Sequence, residues 1–367
     1  MKFRKIILAL VRLGVLHFQK LWWLFFRGSV KDVRVFTSPS QCEYKFIVIY
    51  ASYLAAPDVY ARDLLSLFKQ KGGYVIFITN HHSPQPDRIS PDLADAYINN
   101  GGYGRDMGQY QSGTRFVKKQ FKEEVPEKII YCNDSFFYVE RGNHAFLDEL
   151  LNSRYDMVGT FENPGPERVR TPWFVSSWLF SVSAGLFRSK NFSDFFLRYK
   201  AINNKLHAVR HGEVALTRVA LDYSGKIRAI YNNKYLLATF RESVAKNGAT
   251  VAALSIPAPM CDEYEAQFQA SATRPHFVDY VERNLYRFSP THIFHFILLK
   301  ETDFPFVKKD LFWAGWAQYD QLSELESIIA ESVSQETASK LSAYFRLRGR
   351  LSDASFWVRF WAIVGLK

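Results

Sequence analysis

Two short stretches of this chain carry residues that could bind and act on a polar ligand. The first closes a hydrophobic run: Lys128–Ile129–Ile130–Tyr131–Cys132 is followed at once by Asn133–Asp134–Ser135. A carboxylate at the tip of a strand can hold a divalent metal or a sugar hydroxyl, or it can cap the strand end in an Asx turn. The second stretch is glycine-dense: Asn99–Asn100–Gly101–Gly102–Tyr103–Gly104–Arg105–Asp106–Met107–Gly108–Gln109. Glycines such as Gly104 let backbone come close to a ligand. Arg105 can pair with a phosphate, and Asp106 can accept hydrogen bonds from a ribose or a base. The alternative is a tight loop closed by an Arg105–Asp106 ion pair. The spacing is not that of a dinucleotide fingerprint, which also belongs after the first strand rather than the third. Mg²⁺ takes one or two carboxylates plus substrate phosphates, so Asp134 alone leaves a role for Mg²⁺ or Mn²⁺ open. His292 and His295 stand three apart with no third ligand nearby in the sequence, which favours a structural role over a metal site. His81–His82 lies in a polar loop and receives no role.

The elements that must position these residues alternate between strand and helix. Strand signals cover 45–53, 72–80, 95–100, 127–135, 156–163, 176–187 and 226–232; helices are expected from the Asp58 cap to Gln70, and over 105–121, 190–200 and 212–223. That order predicts an α/β fold with a largely parallel sheet. From about residue 237 the pattern turns mostly helical. In open α/β sheets ligands bind beyond the carboxyl ends of the strands. Tyr50 near the end of the first strand run, Asn80 at the end of the second, and Asn133, Asp134 and Ser135 all belong to that edge.

Composition narrows the class. With 367 residues, 48% hydrophobic and 23% charged, the chain is an ordinary globular one. Three cysteines (Cys42, Cys132, Cys261), far apart and odd in number, exclude a disulfide scaffold. The net charge of +11 is concentrated at the ends: residues 1–34 carry +7, residues 340–367 carry +5, and everything between sums to −1. A neutral body with basic ends is not the profile of a nucleic-acid-binding protein, whose basic surface belongs to the folded body. At about 100° per residue, Lys2, Lys5, Arg12, Lys20 and Arg27 fall in one stripe of an otherwise apolar segment. Its longest uncharged apolar runs are six residues, against the roughly 20 a membrane span needs. The expectation is a helix lying in a membrane surface, with a body-docked helix as the alternative. Phe356, Trp357, Phe360 and Trp361 beside Arg359 repeat the theme at the other end. The expected organisation is a membrane-associating helix over 1–34, a catalytic domain over 41–235 and a mostly helical region over 236–367.

The order of motifs resembles the rhamnan synthesis protein F family of glycosyltransferases. GYGRDMGQY is followed about 20 residues later by EKIIYCNDSFF, and then by DMVGTFEN, SSWLFSVSAGLFRSKNFSDFF, HGEVALTRVALDYSGK and SPTHIFHFILLKETDFPFVKKDLF. The resemblance covers roughly residues 45–313. It implies a GT-A-like, Rossmann-type nucleotide-sugar domain with a mostly helical C-terminal part and amphipathic terminal helices. The chain departs from the GT-A pattern in carrying Asn133–Asp134–Ser135 where a metal-binding D-x-D would stand.

By resemblance, Asp134 and Glu213 are the catalytic residues: Asp134 lies near the donor sugar, and Glu213, opening the helix after Gly212, is the base for the acceptor hydroxyl. An acid in a helix's first turn, favoured by the macrodipole, is the plainer account of Glu213. Tyr50, Asn80, Gly104, Arg105, Asp106, Gln109, Asn133, Ser135, Ser177 and Trp178 are the expected substrate-binding residues. The implied activity is transfer of a hexose, L-rhamnose from dTDP-rhamnose first, to a lipid-linked polysaccharide or glycan, with inversion. The implied place is the inner face of a bacterial cytoplasmic membrane, beside other polysaccharide assembly enzymes. The rival expectation is a non-catalytic membrane scaffold of such an assembly complex.

Overall fold

The computed structural model describes Val11 and residues 13–21, 30–41, 43–122, 124–139, 142–164, 173–257, 275–285, 289–313 and 319–332. A short helix (α1, residues 13–21) precedes an edge strand, β1 (Asp32–Val35). β2 (Phe46–Ser52) and β3 (Gly73–Thr79) are buried at every position. That is why their sequences read as unbroken apolar runs rather than alternating ones. Between them α2 (Val59–Gln70) starts where the Asp58 side chain accepts the Ala61 N–H at 2.8 Å. β4 (Ala96–Asn99), α3 (Arg105–Phe121) and β5 (Lys128–Asn133) follow. α2 covers one face of these strands through Leu64, Leu65 and Phe68, and α3 the other through Met107, Tyr110 and Val117.

Beyond β5 the chain forms β6 (Phe136–Tyr138), α4 (Ala145–Asn152), β7 (Met157–Pro164), β8 (Trp173–Val175) and β9 (Leu179–Ser183). α5 (Ala184–Arg188) and α6 (Lys190–Arg198) come next. α7 (Lys205–His207) runs through a π turn, Ala208–Glu213, into α8 (Val214–Tyr223). After β10 (Ile227–Tyr231), α9 (Asn233–Ser255) is broken at Asn247 by non-helical dihedrals. The remainder comprises α10 (Pro275–Asn284), α11 (Pro290–Ile293), α12 (His295–Glu301), β11 (Phe306–Lys308), α13 (Asp310–Trp313) and α14 (Tyr319–Ser332).

The main sheet has the order β1-β4-β3-β2-β5-β9-β7-β10, with β8 on β7; β6 and β11 form a separate pair. β4, β3, β2 and β5 are mutually parallel, as are β7 and β10; β1, β8 and β9 run the other way. The fold is mixed α/β around a parallel centre.

Three expectations need correction. The strand expected over 176–187 is confined to Leu179–Ser183, because the Ser183 hydroxyl caps α5 by accepting the Leu186 N–H at 3.2 Å. The helix expected to open at Gly212 is already running from Lys205, so Glu213 sits inside a helical segment and not at its start. The helix expected over 1–34 gives way to β1, where Arg34 is anchored by Asp32 and Asp87. The described residues after 236 are mostly helical, with β11 paired to β6 and Phe304 and Phe306 packed edge-on against Trp178. Lys2, Lys5, Arg12, Arg27 and the aromatic C-terminal segment lie outside the described residues.

Candidate functional site

The carboxyl ends of β2, β3, β4 and β5 lie along one edge, and polar side chains knit the loops beyond them together. Asn80 donates to the Arg105 carbonyl at 3.1 Å and accepts from Asn100 at 3.0 Å. Asn100 also donates to the Tyr103 carbonyl at 2.9 Å. Gly104 adopts φ 80°, and a Cβ there would lie 2.5 Å from the Cβ of Ala201. Only glycine allows that close approach of the loop to the segment before α7. Asn203 completes the join: its Oδ1 accepts from the Gly104 and Arg105 N–H groups, and its amide donates to the Gly102 carbonyl. Arg105 itself has φ 54°, a left-handed conformation that a non-glycine residue adopts at a cost.

Three carboxylates gather behind this edge, and they are held differently. Asp134 is 6% exposed, and its Oδ2 accepts from the Ser52 hydroxyl and the Tyr53 N–H, both at 2.8 Å. It therefore ties the end of β5 to the end of β2. Burial raises its pKa, against nearby Lys309. Asp106, in the first turn of α3, accepts from its neighbour Met107 N–H and from the Asn133 amide, each at 3.0 Å. Burial raises its pKa as well, with Arg105 opposing.

Glu213 is partly buried at the end of the π turn, and its Oε1 accepts from the Ser177 hydroxyl at 2.7 Å. A Cβ on Gly212 would come within 2.7 Å of Met107, so the π turn presses directly on the first turn of α3. That contact brings Glu213 into the field of Asp106. Burial first, then Asp106, raises the Glu213 pKa to about 7, while the Ser177 hydrogen bond and Lys308 hold it down. A carboxylate poised there is half ionised near neutrality, as a general base requires. π turns are themselves enriched at functional sites. Ser177 is held in turn by Tyr110, whose hydroxyl donates to the Ser177 carbonyl at 2.8 Å.

Two of the cations near these acids, Lys205 and Lys308, received no role from the motifs. Lys308 bonds Asp310 at 3.3 Å, and His292 Nε2 lies 3.1 Å from the other oxygen of that carboxylate. Burial works against ionisation of Asp310, but Lys308 and His292 hold its pKa below the ordinary carboxylate range. Lys205 is exposed by its accessible surface, yet enough protein surrounds its ammonium that burial, then Lys308, lower its pKa; Arg105 and Glu213 also act on it. Lys308 thus acts on Glu213, Glu213 on Lys205, and Arg105 on Asp106. The segment holding His292, Lys308 and Asp310 carried the resemblance, but nothing in the sequence said which residues it would face. Tyr53 is another addition: the residue is 40% exposed, yet the protein packed round its phenol raises its pKa, with Asp106 and Asp134 adding and Arg105 opposing.

The expected site residues separate into two sets. Asn80, Gly104, Arg105, Asp106, Asn133, Asp134, Ser177 and Glu213 belong to the linked edge described above. Tyr50 is 2% exposed and stacked on Phe77, which places its ring in the core. Gln109 is fully buried and spends its amide on the Ser52 and Ile78 carbonyls, closing the ends of β2 and β3. Ser135 closes an Asx turn: its N–H donates to Asn133 Oδ1, and its carbonyl accepts from the Lys309 N–H. Trp178 is 6% exposed, stacked on Phe136 with centroids 3.7 Å apart, and its indole N–H has no partner among the described residues. No group of three or more His, Cys, Asp or Glu side chains able to hold a metal occurs among the described residues. Both oxygens of Asp106 and one oxygen of Asp134 accept from protein donors.

No family model matches the chain. An uncharacterized protein, y4gN of Sinorhizobium fredii (strain NBRC 101917 / NGR234), is 23% identical over 191 residues, covering 50% of this chain and 49% of that protein. The chain thus spans about half the length of the curated relative it matches. Among solved structures, mannosyltransferase PcManGT from Pyrobaculum calidifontis, in complex with GDP-Man and Mn²⁺, aligns over 95% of this chain and 98% of its own, with a TM-score of 0.34 and 11% identity. Mannosyltransferase Ktr4p from S. cerevisiae aligns over 60% of this chain and 78% of its own, with a TM-score of 0.31 and 9% identity. A 4-diphosphocytidyl-2C-methyl-D-erythritol synthase aligns over 51% and 89%, with a TM-score of 0.32 and 10% identity.

Proposed function

We propose that this chain is a glycosyltransferase that takes a sugar from a nucleoside diphosphate donor, with Glu213 as the base. The observation that carries the reading is Glu213 itself. It is partly buried, oriented by Ser177, raised to about 7, and set among Lys205, Lys308 and Arg105 at the carboxyl edge of the sheet. The donor diphosphate lies against the three cations, which stabilise the charge that develops as the sugar leaves. Arg105 contacts phosphate, and Asp106 and Asn133 face the nucleoside and sugar hydroxyls. The acceptor hydroxyl gives its proton to the Glu213 carboxylate as its oxygen bonds to the anomeric carbon. The bond from that carbon to the diphosphate breaks, and the electron pair leaves with the nucleoside diphosphate. Attack opposite the leaving group inverts configuration. Asp134 supports this edge by fixing Tyr53 and Ser52 and by placing Asn133 on Asp106.

The first donor to try is dTDP-L-rhamnose, by the sequence resemblance, and the acceptor is a lipid-linked glycan at the inner membrane face. Leu13, Phe18 and Leu21 of α1 are 51%, 63% and 57% exposed, the apolar surface an interfacial helix offers a bilayer. No helix among the described residues is long and apolar enough to cross a membrane.

The test is release of nucleoside diphosphate from a panel of donors in the presence of lipid-linked acceptor, beside donor-induced thermal stabilisation. The expected result is stabilisation by one nucleotide class and turnover that Glu213→Gln abolishes while stabilisation persists. Stabilisation by a donor with no turnover on any acceptor returns the chain to the scaffold reading. Neither effect with any donor overturns both.

A further inference from the structure

Arg105 holds a backbone conformation that it does not keep by itself. Its φ is 54°, and Gly101, Gly102 and Gly104 before it are at 69°, 85° and 80°. Glycines have many backbone conformations open to them, and a non-glycine residue stays left-handed only where its surroundings fix it. Two asparagines do so, one at each end of the residue. The Asn80 amide donates to the Arg105 carbonyl at 3.1 Å. Asn203 Oδ1 accepts from the Arg105 N–H at 3.3 Å and from the Gly104 N–H at 2.6 Å. The Asn203 amide also donates to the Gly102 carbonyl at 2.8 Å. The N-cap residue of α3, Gly104, brings no side chain, so Asn203 caps the helix from outside and takes up N–H groups that a ligand would otherwise find open. What the loop offers a ligand is then the Arg105 side chain, aimed by the clamp on its backbone.

Asn203 is held in turn by α1. Gln19 donates to the Asn203 carbonyl and accepts from the Asn204 amide, each at 3.2 Å. Gln19 lies with Val15, Leu16 and Lys20 on one half-buried face of α1. At about 100° per residue, Phe18 and Leu21 fall on the opposite side of the helix, where they are 63% and 57% exposed. One face of α1 therefore meets the segment that clamps Arg105, and the other is open to an apolar surface. Lys20 belongs to the inner face and not to the outward stripe in which sequence periodicity placed it.

We propose that Asn203 is a positioning residue for Arg105, and that seating of α1 through Gln19 sets the glycine loop in its donor-binding form. What Arg105 does there, contact with the donor diphosphate, rests on the transferase reading above. A bilayer that takes up the outer face of α1 favours its helical, seated form. Lipid and donor therefore strengthen each other's binding, by the same factor in each direction.

Hydrogen exchange of the full chain, read over peptides spanning residues 101–107, tests this without a donor. Asn203→Ala should speed exchange there about 10-fold and Gln19→Ala about 3-fold, the range that loss of one or two hydrogen bonds brings. Melting temperatures should stay near the wild-type value, since Asn203 is exposed and Gln19 half-buried. Asn203→Asp keeps an acceptor for both N–H groups and should recover most of the protection. Phosphatidylglycerol vesicles should slow exchange over 101–107 in the wild type and leave it unchanged in Gln19→Ala. In turnover with dTDP-L-rhamnose, Asn203→Ala should raise the donor KM more than it lowers kcat. Wild-type exchange over 101–107 in Asn203→Ala or in Gln19→Ala overturns the proposal. So do vesicles that bind the wild type without protecting the loop, or a donor KM that Asn203→Ala leaves unchanged. Absence of turnover, or of vesicle binding, in the wild type counts against the function proposed above, while exchange in the two variants still decides this inference.

Discussion

Asp134 and Glu213 were the two acids singled out for chemistry, and the structure treats them in opposite ways. Asp134 gives one oxygen to two donors, the Ser52 hydroxyl and the Tyr53 N–H, so its geometry is that of a staple between the ends of β5 and β2. Glu213 receives the Ser177 hydroxyl, faces a second acid in Asp106, and has cations at a distance that temper its charge without pairing with it. The lesson is that a carboxylate at a strand tip is most easily explained by the strands it joins. One inside a helix, pressed against another acid, needs a reason to be there.

The sharpest way to break this contrast is to remove each charge in turn. Glu213→Gln retains an acceptor for Ser177 and should lower transfer about 10²–10⁴-fold with donor affinity kept. Equal loss in Asp134→Asn with an unchanged melting temperature would erase the distinction between the two. The next effect is on donor binding: Lys205→Ala with Lys308→Ala should raise the donor KM roughly 10- to 100-fold, from the worth of hydrogen bonds to charged groups. An unchanged KM removes the two lysines from the diphosphate. Asp134→Ala leaves the buried Ser52 hydroxyl and the Tyr53 N–H without their acceptor, and should cost about 1–3 kcal/mol in denaturant unfolding.

The pH dependence follows from the direction of the Glu213 shift. Its pKa is raised from 4.5 to about 7, so the folded protein holds a proton there that the unfolded chain has released. This group therefore lowers stability as pH rises from about 4.5 to 7, and Glu213→Gln should melt higher than wild type above pH 7 and converge with it below 4.5. Transfer should rise with pH through an inflection near 7. Ser177→Ala, which removes a bond that favours the ionised form, should move that inflection upward by less than a unit. An inflection that stays put in this variant separates Ser177 from the base.

Much of the fold was legible because burial on both faces writes itself into composition. FIVIYAS, GYVIFIT and KIIYCN admit no polar residue except at their ends, so strands, order and polar edge could be read directly. β6 and β8, three residues each, left no periodic trace, and β9 ran into α5 in one apolar stretch that only the Ser183 cap divides. The glycine loop was readable as a close approach, but its partner, Asn203 on a distant segment, was not. Glu213 could be named from its motif while its acidity could not. That property comes from burial first and then from Asp106 on another helix, against the Ser177 hydrogen bond and Lys308, nearly a hundred residues away in sequence. Local sequence determines which residues a strand or helix can bury. The charge a carboxylate feels is a sum over space, and only the folded chain decides which charges are near.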